Sequence, residues 1–228
     1  MKKIITPITA VAVILLLNAC IVSCKKSSSP SQKTITLRNG ANDVRDSHLD
    51  YKADAPGNAN SPGGSMDQLP VYSWTVNGAT VTGRTLLGFS LEAVPKGAEI
   101  LSAKLSMFGM PQSYTLHAQA TIPGGNAGAN NLLIQRVTSP WTESTVTWNT
   151  QPTSTTDGQL ELPASNLVWE YNVTDIDVTS MIKTMQAGDN NGFMIKLKTE
   201  TPYAGITYMS REYADTTKRP TLTITYKY

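Results

Sequence analysis

Apolar and polar residues alternate with a period of two in several short runs of this sequence, and this alternation constrains the fold more than any other feature. In one run the apolar positions are Leu101, Ala103, Leu105 and Met107. The same spacing recurs at 193–198 and at 221–226. Because successive side chains of a strand point to opposite faces of the sheet, each run predicts a strand with one buried face. One apolar and one polar face is typical of antiparallel sheets.

Weaker alternating runs cover much of the remaining chain, at 34–38, 71–76, 84–91, 114–121, 132–138, 144–149, 169–173 and 206–211. Turn residues separate the runs, and 94–97 is an example in which proline presets φ and glycine accepts a positive φ. About ten or eleven short strands favour an all-β fold, a two-sheet antiparallel β-sandwich, since the sheets must fold over to bury an apolar face. Residues 52–70, rich in glycine, asparagine and proline, are predicted to form a long surface loop.

One segment replaces the alternation with helical spacing. Its apolar residues fall at i, i+3, i+4 and i+7 and are Val178, Met181, Ile182 and Met185. This stripe predicts one short amphipathic helix near the C-terminal third of the chain. Thr174 and Asp177 have the spacing of a capping box, and Gly188 supplies the stop. We expect the helix to form a lid over one open end of the sandwich.

The N-terminus has the pattern of a bacterial export signal. Positively charged residues at the start precede a nearly uncharged apolar run at 4–22. Polar residues within this run make it a poor candidate for a membrane-spanning helix. Residues 1–23 are therefore predicted to be a lipoprotein signal peptide, and residues 24–33 a Ser/Lys-rich tether. We favour Cys24 as the lipidated residue over the alternative, Cys20, because the polar tether starts directly behind Cys24. The lipid predicts anchoring to the outer membrane, on its periplasmic face or at the cell surface.

Charge and cysteine content exclude several classes of protein. Two of the 19 Lys and Arg residues lie in the signal, so 17 remain against 17 Asp and Glu. A net charge of zero leaves no surplus to neutralise phosphates, and we expect no nucleic-acid partner. Both cysteines lie at the end of the signal, so no disulfide framework is expected. A mean hydropathy of -0.20 fits a globular domain and excludes a polytopic membrane protein.

Several motifs resemble the DNRLRE domain family. They are GRTLLGFSL at 83–91, VPKGAEILSAKL at 94–105, QRVTSPWTESTVTWNTQP at 135–152, MSRE at 209–212 and RPTL at 219–222. The resemblance covers residues 34–228, which we interpret as one domain. It implies a jelly-roll-like sandwich of secreted or surface proteins, often appended to polysaccharide-active enzymes. A related group is classed as a carbohydrate-binding module that recognises acidic polysaccharide. The segment SCKKS at 23–27 is similar to the start of many Bacteroidetes lipoproteins.

Aromatic side chains supply candidates for a sugar-stacking surface, because the apolar face of a sugar ring packs on an aromatic ring. Trp74, beside a polar loop, is the preferred candidate, and Tyr72 is close to it in the sequence. Trp141 and Trp148 lie inside the motif at 135–152 and are predicted to be structural.

Basic residues at the motif positions have two interpretations. In the first, Arg84, Arg211 and Lys104 face an anionic polysaccharide as a local patch. In the second, which we prefer, arginines pair with acids such as Glu212 and lock the order of the strands.

Residues suited to catalysis or metal binding are sparse. His48 and His117 lack metal-ligand spacing, and the domain contains no cysteine nucleophile, so no enzymatic activity is predicted. Asp43, Asp46 and Asp50 form the densest acidic stretch and are weak candidates for calcium. A solvated loop is the preferred interpretation because basic residues lie among these acids. No other cofactor is predicted.

The sequence therefore predicts a non-catalytic, lipid-anchored cell-envelope protein whose β-sandwich binds polysaccharide. The alternatives are a structural or adhesive surface module that contacts protein or matrix and, as a minor one, a polysaccharide-degrading enzyme. The sugar, the orientation of the lipid and the oligomeric state are left open at this point.

Overall fold

The computed structural model describes residues 31–38, 43–116, 120–122 and 128–228. These residues form one α-helix, α1 (Thr179–Ala187), and thirteen strands: β1 (Gln32–Leu37), β2 (Val44–Lys52), β3 (Gln68–Val76), β4 (Ala79–Phe89), β5 (Glu99–Met107), β6 (Tyr114–Leu116), β7 (Ala120–Ile122), β8 (Leu132–Val137), β9 (Ser154–Leu162), β10 (Val173–Asp177), β11 (Phe193–Leu197), β12 (Ala204–Met209) and β13 (Thr221–Lys227).

Some predictions fall outside the described residues. They are the signal peptide, the lipidation sites Cys24 and Cys20, most of the tether, and His117. The first strand starts at Gln32, two residues before the predicted domain boundary. Among the described residues, no helix combines the length and apolarity that crossing a bilayer requires.

The strands form two main antiparallel sheets, so the predicted all-β sandwich is confirmed. The smaller sheet has the order β1-β13-β5-β10. The larger sheet has the order β12-β3-β4-β11-β8-β9, and β2 pairs along β4. Strands β6 and β7 form a separate hairpin.

The main core combines the inner faces of both sheets. Leu105, Leu222 and Ile224 come from the smaller sheet, and Leu87 and Phe193 from the larger. All five side chains are fully buried. Burial of such side chains is the main stabilising contribution available to a domain without disulfides.

Strand β5 departs from the predicted alternation at its start. Leu101 was expected on the apolar face, but it is 38% exposed, whereas Ile100 is only 2% exposed. The pairing of β13 with β5 shifts register here, because Thr225 pairs with Ser102 and Tyr226 with Ile100. A β-bulge therefore inserts Leu101 and reverses the direction of the side chains before it.

Helix α1 contains the predicted apolar stripe, and its Met181, Ile182 and Met185 are buried in the main core. The predicted capping box is wrong, because Thr174 and Asp177 belong to strand β10. Asp177 instead accepts a hydrogen bond from the Thr179 backbone N–H at 3.0 Å. At the other end, Gly188 donates its N–H to the Thr184 carbonyl at 3.1 Å, as its predicted role as a stop requires.

A long connection between β8 and β9, the tryptophan loop (138–153), covers the outer face of the larger sheet. A second apolar cluster forms there from Leu49, Leu86, Val137, Trp141, Val146 and Met194. The strand predicted at 144–149 is wrong, since these residues form turns and loop. The segment before β10 is likewise a loop, and only its last residue, Val173, is in a strand.

Candidate functional site

The tryptophan loop uses its two tryptophans for packing, as predicted. Trp141 is 6% exposed, and its indole N–H donates to the Asn191 carbonyl at 2.8 Å. The Arg45 guanidinium lies 4.5 Å from the centre of the Trp141 ring and donates to the Trp141 carbonyl. Trp148 stacks on Tyr51 with 5.5 Å between ring centres. These contacts hold the loop on the sheet by cation–π and stacking interactions.

Arg84 is held in the same region and does not face solvent as a free cation. Its Nε and Nη2 donate to the two carboxylate oxygens of Glu200 at 2.7 and 2.8 Å. Its Nη1 donates to Gln151 at 2.8 Å, and the guanidinium lies 4.5 Å from the centre of the Trp148 ring. This arrangement matches the preferred interpretation of Arg84 as half of a structural pair.

The other two predicted basic residues are also paired. Arg211 contacts Glu143 at 2.7 Å and Glu212 at 2.8 Å. Lys104 contacts Asp177 at 2.9 Å on the smaller sheet. The structure therefore does not assemble Arg84, Arg211 and Lys104 into one surface for an anion.

Tyr72 is not available to a sugar, which corrects its assignment as a binding residue. Its side chain is completely buried, and its hydroxyl donates to Asp50. Burial raises the pKa of Tyr72 well above its usual value, and the charge of Asp50 adds to the effect. His48 is buried beside it, with 5.7 Å between the ring centres.

The acids of the predicted calcium stretch are not brought together as a metal site. Asp46 is completely buried and accepts the Arg211 backbone N–H at 2.8 Å. Asp50 accepts from Tyr72, as described above, and Asp43 lies at the entry to β2. Across the described ranges, no group of three or more His, Cys, Asp or Glu side chains is arranged to hold a metal ion.

The buried Asp46 and the partly buried Glu143 both contact Arg211. The Asp46 backbone N–H donates to Glu143 at 2.7 Å, and the Asp46 Oδ1 is buried without a hydrogen-bond partner. Burial raises the pKa of Asp46 well above its usual range, and burial also raises the pKa of Glu143. The cluster joins β2, the tryptophan loop and the segment after β12.

Trp74 lies in a different environment, on β3, where it forms an aromatic pair with Tyr203. The ring centres are 5.3 Å apart, and the ring planes are nearly perpendicular, at 82°. Tyr203 is 59% exposed and Trp74 is partly exposed. The hydroxyls of Tyr203 and Thr75 are 3.1 Å apart, which fixes the Tyr203 ring. Two perpendicular rings make an apolar corner at the surface.

The backbone holds Tyr203 in an unusual conformation. Tyr203 precedes β12 with φ of 69°, in the left-handed region that bulky residues rarely adopt. Gly128 lies against the Tyr203 backbone, and a Cβ on it would lie 2.2 Å from the Tyr203 carbonyl oxygen. Strain of this kind persists where surrounding contacts enforce it and is concentrated at ligand sites. Tyr203 could not be predicted from the sequence, because its pairing with Trp74 depends on β12 joining β3.

A model of carbohydrate-binding module family 96 matches residues 54–226. The chain belongs to carbohydrate-binding module family 96. A search of curated proteins found no match to it.

For this family 96 member, the matched range contains both the tryptophan loop and the aromatic pair. Membership supports a carbohydrate partner, and modules of this kind are typically non-catalytic. Tyr203 is the exposed ring of the aromatic pair, and Trp74 is partly exposed although it also packs against a buried cluster. The other aromatic side chains described above are buried or engaged in packing. Trp169, in the loop before β10, is a further exposed aromatic at 44%.

Proposed function

We propose that this protein binds polysaccharide by stacking a sugar ring in the corner formed by Trp74 and Tyr203, and that it acts without catalysis. The observation that carries the proposal is the perpendicular aromatic pair of exposed Tyr203 and partly exposed Trp74 on a member of a carbohydrate-binding family. One face of a pyranose ring presents C–H groups and packs on an aromatic face, while its rim of hydroxyls stays in contact with water. The Thr75 contact fixes the ring before the sugar arrives, which lowers the entropic cost of binding.

The burial and ion pairing of four titratable side chains support the absence of catalysis. Tyr72 and His48 are buried, and Arg84 and Arg211 are paired with carboxylates. A general acid or base must come within hydrogen-bond reach of the substrate. These groups do not offer such access.

Affinity electrophoresis tests the binding proposal. The full-length protein, in a detergent without sugar groups, is run in gels containing one neutral or acidic polysaccharide each. Retardation by at least one of them is expected, and Trp74→Ala and Tyr203→Ala are expected to lower the apparent affinity about tenfold, or ~1.4 kcal/mol each. Tyr228→Ala is the matched control, because Tyr228 is 69% exposed at the end of the smaller sheet.

Two results would overturn the proposal. One is the absence of retardation by every polysaccharide tested. The other is retardation that survives both substitutions in the aromatic pair but is lost in Trp169→Ala, which would move the site to the loop before β10.

We also propose that a lipid on Cys24 holds the module at the outer membrane. The apolar run at 4–22 and the polar tether support this proposal. Radiolabelled palmitate should be incorporated into the wild-type protein and into Cys20→Ser, but not into Cys24→Ser. Incorporation into Cys24→Ser with loss in Cys20→Ser would assign the lipid to Cys20.

A further inference from the structure

A groove at the end of the sandwich lies away from the aromatic pair. The end groove runs between the start of β2, the turn after β4 and the last turn of α1, and its volume is about 930 Å³. Ligand sites in proteins typically have volumes of about 300–1,000 Å³. The end groove is therefore large enough for a short oligosaccharide.

The floor of the end groove is apolar and rigid. Val44, Phe89, Val94 and Met185 line it, and each of these side chains is at most 5% exposed. All four belong to the main core. The floor is thus fixed by the fold before any ligand arrives.

Two amides on the rim are held in position by the protein. Asn190 donates its Nδ2 to the Phe89 carbonyl at 2.6 Å, and Gln186 donates its Nε2 to the Ala98 carbonyl at 3.1 Å. Each bond fixes the plane of the amide and leaves its oxygen as an acceptor. Both residues line the groove. Sugar hydroxyls are donors of the kind that such oxygens accept.

Arg45 lines the wall of the groove and is held in place by Trp141. Its guanidinium lies on the Trp141 ring, and its side chain crosses Gly88, where a Cβ would come within 2.8 Å of Nε. Glycine at position 88 therefore permits the position of Arg45 along the wall of the groove.

The charges of the groove balance. Arg45 and Lys96 carry two positive charges, and Asp43 and Glu92 carry two negative ones. A rim with no net charge above an apolar floor suits an uncharged, polyhydroxylated ligand, because it offers an anion no net attraction.

We infer that the end groove is a second binding site, which takes a short neutral saccharide or the neutral end of a glycan chain. The inference rests on the proposed function for its ligand class, and it adds a separate place and a charge preference. Two sites on one module raise the avidity for a polymer without any new contact at the aromatic pair.

Calorimetric titration with trisaccharides tests this inference. The probes are maltotriose, cellotriose, mannotriose and xylotriose, with trigalacturonate as the charged counterpart. We expect the full-length protein to bind at least one neutral trisaccharide. Gln186→Ala removes one of the two rim amides, and Ser90→Trp narrows the groove. Each substitution should weaken that binding tenfold or more. Lys183→Ala is the matched control, because Lys183 is exposed on the same helix outside the groove.

The readouts separate this inference from the proposed function. Trp74→Ala should leave in place the trisaccharide binding that Gln186→Ala weakens. Gln186→Ala should in turn leave in place the retardation in polysaccharide gels that depends on Tyr203. The inference is overturned if no neutral trisaccharide binds, if binding is lost in Trp74→Ala and kept in Gln186→Ala, or if trigalacturonate binds more tightly than every neutral probe. If Ser90→Trp fails to fold, Gln186→Ala alone decides the outcome.

Discussion

Arg84 offers the clearest test of whether the basic residues of this module serve its fold or its ligand. Its pair with Glu200 is bidentate, and the two side chains are 20% and 26% exposed. Arg84→Met removes three charge-assisted hydrogen bonds, two to Glu200 and one to Gln151, and the contact with Trp148. It also leaves Glu200 partly buried without its partner.

The expected loss lies between that of a surface pair and that of a buried pair. Exposed pairs contribute about 0–1 kcal/mol, and breaking a fully buried pair costs about 3–5 kcal/mol. With roughly a quarter of each side chain exposed, we expect Arg84→Met to lower the free energy of unfolding by about 2–3 kcal/mol, of which the Trp148 contact supplies about 0.5–1 kcal/mol.

Urea unfolding of a double-mutant cycle measures this value. The cycle combines Arg84→Met with Glu200→Gln, and we expect a coupling energy of about 1–2 kcal/mol. The pair of Lys198 with Glu161 is the matched control, because its side chains are 51% and 45% exposed, and its coupling should be below about 0.5 kcal/mol. Equal coupling in the two pairs would refute the structural role. Loss of glycan binding in Arg84→Met at unchanged stability would assign the residue to the ligand.

Three further predictions concern stability. Ile182→Asp should unfold the domain or cost several kcal/mol, because the side chain is 1% exposed in the main core; a near-wild-type melting temperature would contradict its burial. Leu101→Lys should cost less than about 1 kcal/mol and Leu105→Lys several times more, since the bulge exposes only Leu101; equal losses would contradict the bulge. Asp46→Asn should stabilise the domain relative to wild type, and the gain should grow as the pH rises above about 4. Burial raises the pKa of Asp46 in the folded state, so the wild-type domain loses stability as the pH rises through that raised pKa, whereas asparagine does not titrate. Unfolding curves measured from pH 4 to pH 8 check this, and a pH-independent difference would contradict it.

Periodicity predicted the buried positions best in the parts of strands whose pairing keeps its register. Strands β11 and β13 follow the alternation, with Phe193, Ile195, Leu222 and Ile224 buried as expected. It failed at Leu101, because a bulge changes the direction of the side chains without changing the composition. Strand β2 was missed, because Asp46 and His48 occupy buried positions that the pattern assigns to apolar residues.

The site was only partly predictable for related reasons. Trp74 is beside a turn and stands out in the sequence, but its partner Tyr203 is 129 positions away and reaches it through the pairing of Ala204 with Ser73. Tyr72 was misassigned: it lies two residues from the partly exposed Trp74 on the same strand, but it is buried against Tyr114 and Asp50. The sequence of a strand does not show which of its residues will be covered by other segments of the fold.

The central claim is that a sugar ring stacks on Trp74, and ¹⁹F NMR of the protein labelled with 5-fluorotryptophan tests it most directly. The four tryptophans are assigned by single substitution to phenylalanine, and the polysaccharide that retards the protein most is added as short fragments. The account predicts that the Trp74 resonance shifts or broadens while those of Trp141 and Trp148 do not move. A shift of either tryptophan of the loop, with Trp74 unchanged, would contradict it.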